Sequence, residues 1–259
     1  MSDRALTGTT ALVTGASRGF GRGIATALTR AGAQVVGVAR DRGQLAELRE
    51  QLGGSFTAVS ADAADPVVAG QLIDTYRPAV LVLNAGATPL PRPIHHHTWT
   101  TFSRNWEVDV QHVFHFTREA LLAPLAPGST VITLSSGAAL RGSPLSGGYA
   151  GAKAAIRWLT GYAAEESERA GLGLRFVSLL PQLTPATDLG ARYVAAYAAR
   201  QGAPAAPPAG GAAAPAAGSP AGPPLTPDLA GQAIADLAAD PGYREPAYML
   251  TAAGLRPLA

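Results

Sequence analysis

The chain contains no cysteine in 259 residues. Disulfides, thiolate catalysis and cysteine-ligated metals are therefore excluded. Charge is scarce too, at 15% of residues, and the net charge is only +2. No stretch clusters basic residues with aromatics, so there is no nucleic-acid footprint and no nucleic-acid partner is expected. No apolar run approaches the roughly 20 residues that span a bilayer, so no membrane association is expected. The segment Met1–Thr9 is polar and lacks the apolar core of a secretory signal, so the expectation is a cytoplasmic protein. The most informative scarcity is lysine: of 20 strongly basic residues, 19 are arginine and one is Lys153. Arginine is a wide planar fork that stays charged, whereas lysine is a compact point charge whose pKa can move. A chain that has otherwise replaced lysine by arginine marks Lys153 as a position where identity matters.

What is abundant is apolar sequence, 47% of residues. That permits the large core of a single α/β domain over residues 1–259. Short continuous apolar runs alternate with helical segments. Strands are expected at 10–13, 34–39, 56–59, 79–83, 130–134, 174–180 and 247–251. Helices are expected between them, including a long one over 99–122 and another over 149–169. Asp65-Pro66 opens a helix in cap-then-first-turn order. This pattern predicts a doubly wound, Rossmann-like α/β fold: a parallel sheet of about seven strands with helices on both faces. Residues 201–224 break it, because 22 of these 24 are Ala, Gly or Pro. Such a composition builds no core and predicts a flexible loop within the domain.

The first predicted strand runs into Thr14-Gly15-Ala16-Ser17-Arg18-Gly19-Phe20-Gly21 and then a helix. Glycines in that context allow a tight turn and let backbone N–H groups approach a pyrophosphate at the helix N-terminus. The spacing is TGxxxGxG. Tyr149-Ala-Gly-Ala-Lys153 follows a YxxxK pattern, Ser136 precedes the tyrosine by thirteen residues, and Asn84-Ala85-Gly86 follows the fourth strand. With these four elements in this order, the chain resembles the classical short-chain dehydrogenase/reductase family from about Thr7 to Pro185. The resemblance implies an oxidoreductase that moves hydride between a nicotinamide and a carbonyl or secondary alcohol. It implies cofactor contacts from Gly15, Ser17, Arg18 and Phe20 in the turn, Asn84, Ala85 and Gly86, Tyr149 and Lys153, and Pro181 and Thr184 after the sixth strand. Asp62 resembles the residue that meets the adenine amino group, although a helix or turn cap explains it nearly as well.

Family members that prefer NAD(H) usually carry an acid at the end of the second strand, where this chain has Ala39. Arg40 follows, and Arg18 lies in the glycine turn. Two guanidinium groups beside the ribose 2′ position favour a phosphate there, hence NADP(H). Asp41 could instead reach the ribose diol, which keeps NAD(H) possible.

Tyr149 and Lys153 are four residues apart and share one helix face. A phenol is a weak acid near pH 7, and a neighbouring ammonium favours its ionised form. By resemblance Tyr149 is the general acid of carbonyl reduction and Lys153 orients the nicotinamide ribose. Ser136, by the same resemblance, polarises the substrate carbonyl where charge develops. The side chain of Ser135 should point the other way. The fourth catalytic position, an asparagine that supports a proton-relaying water in the family, is Asp109 here. Its charge should favour the protonated forms of Lys153 and Tyr149, with Asn105 one turn earlier able to share its role. Gln182 stands where the family usually has glycine, and Leu183 onward should form a substrate lid.

His95, His96, His97, His112 and His115 do not make a clear ligand set, and no metal is expected. Trp99, Phe102 and Trp106 form an aromatic stripe suited to the core or to a subunit contact, and by analogy a homodimer or homotetramer is expected. A competing reading, motivated by Leu83, Asp109 and Gln182, is a nicotinamide-nucleotide-binding protein with little turnover.

Overall fold

The computed structural model describes residues 5–202 and 224–258. The Ala/Pro/Gly-rich segment expected as a flexible loop therefore lies almost wholly outside the described residues. The strands are β1 Thr10–Thr14, β2 Gln34–Ala39, β3 Phe56–Ser60, β4 Val80–Leu83, β5 Thr130–Leu134, β6 Arg175–Pro181, β7 Ala247–Thr251 and β8 Gly254–Pro257. They form one sheet in the order β3-β2-β1-β4-β5-β6-β7-β8. The first seven are mutually parallel, with Ala11 opposite both Val35 of β2 and Val80 of β4. The eighth is antiparallel to β7 and turns back on it at Thr251 and Gly254.

Among the described residues the sheet has eight strands, the expected seven and one more at the edge. The missed strand, Gly-Leu-Arg-Pro, is short and carries two residues disfavoured in strands. It is tolerated because an edge strand needs only one set of ladder bonds.

The helices are α1 Gly19–Arg30, α2 Arg42–Leu52, α3 Pro66–Tyr76, α4 Trp99–Asn105, α5 Gln111–Leu122, α6 Gly148–Arg169, α7 Asp188–Arg200 and α8 Pro227–Ala239. Alternation along each strand sends side chains to two separate cores. Ala11, Val13, Val35 and Val82 pack with Ile24 and Leu28 of α1, Leu45 and Leu48 of α2 and Ile234 of α8. Leu12, Val36, Leu81 and Val131 face the other way, onto Ile73 of α3, Phe116 of α5 and Ile156 of α6. A sheet buried on both faces explains why its strands read as continuous apolar runs.

Three local findings bear on the site. The helix expected over 99–122 is not uniform: a π-helical turn, Trp106–Val110, separates α4 from α5 and contains Asp109. Such turns shift side-chain register within a helix and recur at functional positions. Second, the stretch from Leu183, expected as a substrate lid, contains α7, a thirteen-residue helix. Thr187 caps it by accepting from Gly190 N. Third, the aromatic stripe is not core: Trp99 is 76% exposed and Trp106 41% exposed, as is much of Trp158 and Tyr162 on α6.

Candidate active site

The parallel strands end along one edge of the sheet, and a cavity of about 1800 Å³ opens beyond those ends. It lies where the chain order reverses between β1 and β4, the crevice in which open α/β sheets take ligands. Its volume exceeds the roughly 300–1,000 Å³ of a pocket for one small ligand. Gly15, Arg40 and Asp62 line one part, and Ser136, Tyr149 and Lys153 line another.

The glycine turn has the shape expected of a phosphate cradle. Gly15 has φ +67°, and a Cβ there would stand 2.8 Å from Asn84 Nδ2 and 2.9 Å from Ala85 Cα. Gly19, the first residue of α1, has φ +54°, and a Cβ there would meet nothing within 4 Å. The turn is packed against β4 on one side and open on the other. No side chain caps α1, so its first N–H groups remain available to an anion. These features fit the pyrophosphate of a dinucleotide.

Asn84 acts here as a brace. Its Nδ2 donates to Thr14 O at 3.0 Å and Gly15 O at 3.3 Å, while Asn84 N and Ala85 N donate to Thr14 Oγ1 at 3.0 and 3.1 Å. Ser17 and Phe20 line the cavity, as do Ala85 and Gly86.

At the far end, Asp41 Oδ1 accepts from Gln44 N at 3.0 Å and caps α2. Asp62 Oδ1 accepts from Ala64 N at 3.0 Å, a turn cap at a residue that also lines the cavity. Arg40 is exposed, and its guanidinium makes no ion pair among the described residues. Arg18 lines the cavity, as its expected place beside the cofactor requires. Its Nη1 reaches Asp188 Oδ2 at 2.9 Å, tying the glycine turn to the first residue of α7 across the cleft. Both side chains are more than half exposed, so the pair holds weakly.

The catalytic candidates converge where β4, β5 and α6 meet. The two serines after β5 divide as strand alternation requires. Ser135 Oγ donates to Lys153 O at 2.7 Å in the interior, and Ser136, half-buried, accepts from Ala138 N at 3.1 Å and lines the cavity. Lys153 and Tyr149 are both buried on α6. The Lys153 ammonium lies 5.7 Å from the Tyr149 ring centroid and donates to Leu134 O at 3.0 Å.

The same ammonium meets Asp109 Oδ2 directly at 3.2 Å. The residue that by resemblance supports a water is thus also in a direct, buried ion pair with the lysine. Asp109 Oδ1 accepts from Ala87 N at 2.7 Å, and Asn105 Nδ2 donates to Ala87 O at 2.9 Å and lies 3.4 Å from both carboxylate oxygens. Burial by itself disfavours the Lys153 ammonium, but the Asp109 carboxylate and then Tyr149 outweigh it and hold the Lys153 pKa above the ordinary lysine value.

Gln182 leaves the backbone unstrained. Its N donates to Leu250 O at 3.0 Å, extending the pairing of β6 and β7. Arg77 is the one non-glycine residue with positive φ among those described, so glycine is not required at position 182. Pro181 ends β6 on the cavity wall, and the buried Thr184 donates from Oγ1 to Gln182 O at 2.9 Å.

Tyr193, Tyr197 and His112 are among the cavity side chains that have no assignment from the sequence. Tyr193 and Tyr197 project from α7. Their i, i+4 spacing behind a Thr-Asp start was a readable helix signal, obscured by the Ala/Pro/Gly run that follows. His112 is fully buried on α5. Its pKa falls to about 3, first from burial and then from the Lys153 charge. The nearby Ala85 backbone opposes this without a hydrogen bond of good geometry. His112 is thus a neutral imidazole. His97 Nδ1 lies 3.2 Å from Thr101 Oγ1. Among the described residues no group of three or more His, Cys, Asp or Glu could hold a metal, and no helix is long and apolar enough to cross a membrane.

Comparison with known proteins agrees with this fold. A family model described as short chain dehydrogenase matches residues 9–197. The L-xylulose reductase of Mesocricetus auratus is 33% identical over 161 residues, covering 61% of this chain and 65% of that protein. The carbonyl reductase (NADPH) 2 of Sus scrofa is 31% identical over 156 residues, covering 59% and 63%. These matches therefore span less than two thirds of the relatives' own length. Among solved structures, a 3-ketoacyl-(acyl-carrier-protein) reductase from Brucella melitensis complexed with NADH superposes with a TM-score of 0.73 at 25% identity, covering 92% of this chain and 93% of that one.

Proposed function

This chain belongs to the short-chain dehydrogenase family, and within it we propose an NADP(H)-dependent reductase of ketones that also oxidises the corresponding secondary alcohols. The observation that carries the reading is the cluster of Ser136, Tyr149 and Lys153 on one cavity that continues to the glycine turn. A bound nicotinamide supplies or accepts the hydride.

In reduction, the Ser136 hydroxyl donates a hydrogen bond to the carbonyl oxygen, and Tyr149 delivers a proton to it as negative charge develops there. The Lys153 ammonium, fixed on Leu134 O, stabilises the phenolate left behind. Asp109 touches neither reactant in this scheme. It is a positioning residue that keeps Lys153 cationic and in place. Oxidation of NADPH in the presence of a ketone panel tests the reading. Tight NADPH binding with no turnover of any carbonyl would favour a binding protein instead.

The cofactor preference rests on Arg40. Position 39 offers no carboxylate, and Asp41 is engaged as the cap of α2, whereas the Arg40 guanidinium is free to meet a 2′-phosphate. Arg40→Ala is expected to weaken NADPH binding about tenfold or more, the scale of a lost charge-assisted hydrogen bond, and to leave NADH binding nearly unchanged. Fluorescence titration with both nucleotides reads this directly, and an equal loss for both would reject NADP(H) selection by Arg40.

The exposed aromatic face of α4 and α6, with Trp99, Trp158 and Tyr162, supports a homodimer or homotetramer. An apolar surface of this kind is commonly covered by a partner. Sedimentation velocity should find an assembly that Trp158→Glu dissociates, and a wild-type monomer would rule it out.

A further inference from the structure

The wall of the cavity beside Tyr149 is built by α7. The rings of Tyr149, Tyr193 and Tyr197 run in series, with centroids 6.1 Å apart at 43° and then 6.1 Å apart at 39°. The outermost hydroxyl is satisfied: Tyr197 Oη donates to Ser143 Oγ at 2.6 Å. The middle one is not. Tyr193 is 5% exposed, and its hydroxyl is buried without a hydrogen-bond partner among the described residues. A buried hydroxyl left unpaired is unfavourable. Phenylalanine would fill the same space between two tyrosine rings without that penalty. The phenol is therefore explained by a partner that arrives when the cavity is filled.

The chemistry of that partner follows from the surroundings. Burial, with Tyr149 and Tyr197 adding to it, pushes the Tyr193 phenol above its ordinary pKa. It stays protonated and acts as a donor, so its partner is an acceptor. A carboxylate sealed against three tyrosine rings would lose its hydration without a paired cation, so the acceptor is a neutral oxygen. Tyr193 lines the cavity beside Tyr149, so a small shift of its ring or helix would bring the hydroxyl to a substrate there. The helix is tied to the body of the protein by the exposed Arg18–Asp188 pair and the Tyr197–Ser143 hydrogen bond, contacts that can break and re-form.

We propose that Tyr193 is a specificity-determining residue, and that its hydroxyl donates to a neutral ether, carbonyl or hydroxyl oxygen carried close to the reacting carbonyl of the substrate. Ketones bearing such an oxygen are preferred over hydrocarbon ketones of the same shape. A site built around a hydrogen bond discriminates against an analogue that lacks the bonding atom, because its own polar group is then left unpaired. This inference rests on the carbonyl-reductase reading above.

The test compares matched ketones that differ by one oxygen in place of one methylene. 2-Methoxyacetophenone is set against butyrophenone, and 3-methoxypropiophenone against valerophenone, each with NADPH. The wild-type protein should favour one or both oxygenated members by about tenfold or more in kcat/KM. Tyr193→Phe should lower that ratio by about tenfold while the melting temperature stays at or above the wild-type value, because an unpaired hydroxyl has been removed. The quotient of the wild-type and Tyr193→Phe ratios cancels the intrinsic reactivity of each ketone and would not respond to a merely structural role.

A wild-type ratio near one for both pairs, or a ratio that Tyr193→Phe leaves unchanged, overturns the inference while leaving the reductase reading intact. A clear drop in melting temperature would reveal a hidden intramolecular partner and overturn it as well. Turnover of none of the four ketones would count against the reductase reading and remove the inference with it.

Discussion

Tyr149→Phe is expected to lower kcat for ketone reduction by about 100- to 10,000-fold, the range in which a positioned general acid contributes. The substitution deletes one oxygen and leaves the ring, which is 8% exposed and packed between α6 and α7. Folding should therefore be unaffected, and NADPH should still bind through the glycine turn. The proton needed at the carbonyl oxygen would then have to come from water in a cavity where Lys153 is already committed to Asp109 and Leu134 O. Parallel measurements of kcat, NADPH affinity and melting temperature separate this outcome from misfolding. If kcat falls less than tenfold with any good substrate, Tyr149 is not the acid and the reductase mechanism proposed above is wrong.

Removing the carboxylate of Asp109 should have the largest effect on stability. Asp109→Ala leaves the buried Lys153 ammonium with Leu134 O as its hydrogen-bond acceptor among the described residues and should destabilise the fold by about 3–5 kcal/mol, as breaking one half of a buried pair does. Asp109→Asn is gentler, since an amide oxygen can still accept from Ala87 N, and it isolates the charge.

The sign of the pH dependence distinguishes the two proteins. In the wild type the folded-state pKa of Lys153 lies above the unfolded value. Its contribution is complete below the ordinary lysine pKa and is lost as pH rises through the raised folded value. In Asp109→Asn, burial is the largest remaining influence, and it lowers the lysine pKa. The unfolded chain then binds more protons in the window just below the ordinary lysine value, and stability rises with pH there. Denaturant unfolding of both proteins from neutral to alkaline pH should show opposite slopes in their difference. Identical slopes would mean that Asp109 does not set the charge of Lys153. In kinetics, the alkaline limb of ketone reduction should move to lower pH in Asp109→Asn, since the ammonium that assists Tyr149 is lost earlier.

The parts of the molecule legible in the sequence were those governed by local pattern. Strands buried on both faces must be continuously apolar, so β1, β2, β4 and β5 were placed to within a residue or so. Asp65-Pro66 announced α3 because capping chemistry is local. The glycine turn was readable because only glycine fits where Gly15 crowds Asn84 and Ala85. Elements with weak local signals were missed. The edge strand β8 is defined by pairing to β7, and α7 was merged with the uninformative run beyond it. The π-turn at Asp109 has no sequence mark at all, because it reflects how one long helix fits against α6 and the loop after β4.

The sequence by itself determined the doubly wound sheet, because periodicity and turn chemistry are properties of neighbouring residues, and its motifs carried the resemblance that gave the family and nominated Tyr149 and Lys153. Only the tertiary structure decided who the partners of those groups are. It brought Asp109 directly onto Lys153, carried Arg18 across the cleft to Asp188, and set an unpaired Tyr193 hydroxyl beside Tyr149. Each of these joins residues from different elements, and burial and charge at such junctions depend on how helices and strands pack, which no local pattern encodes.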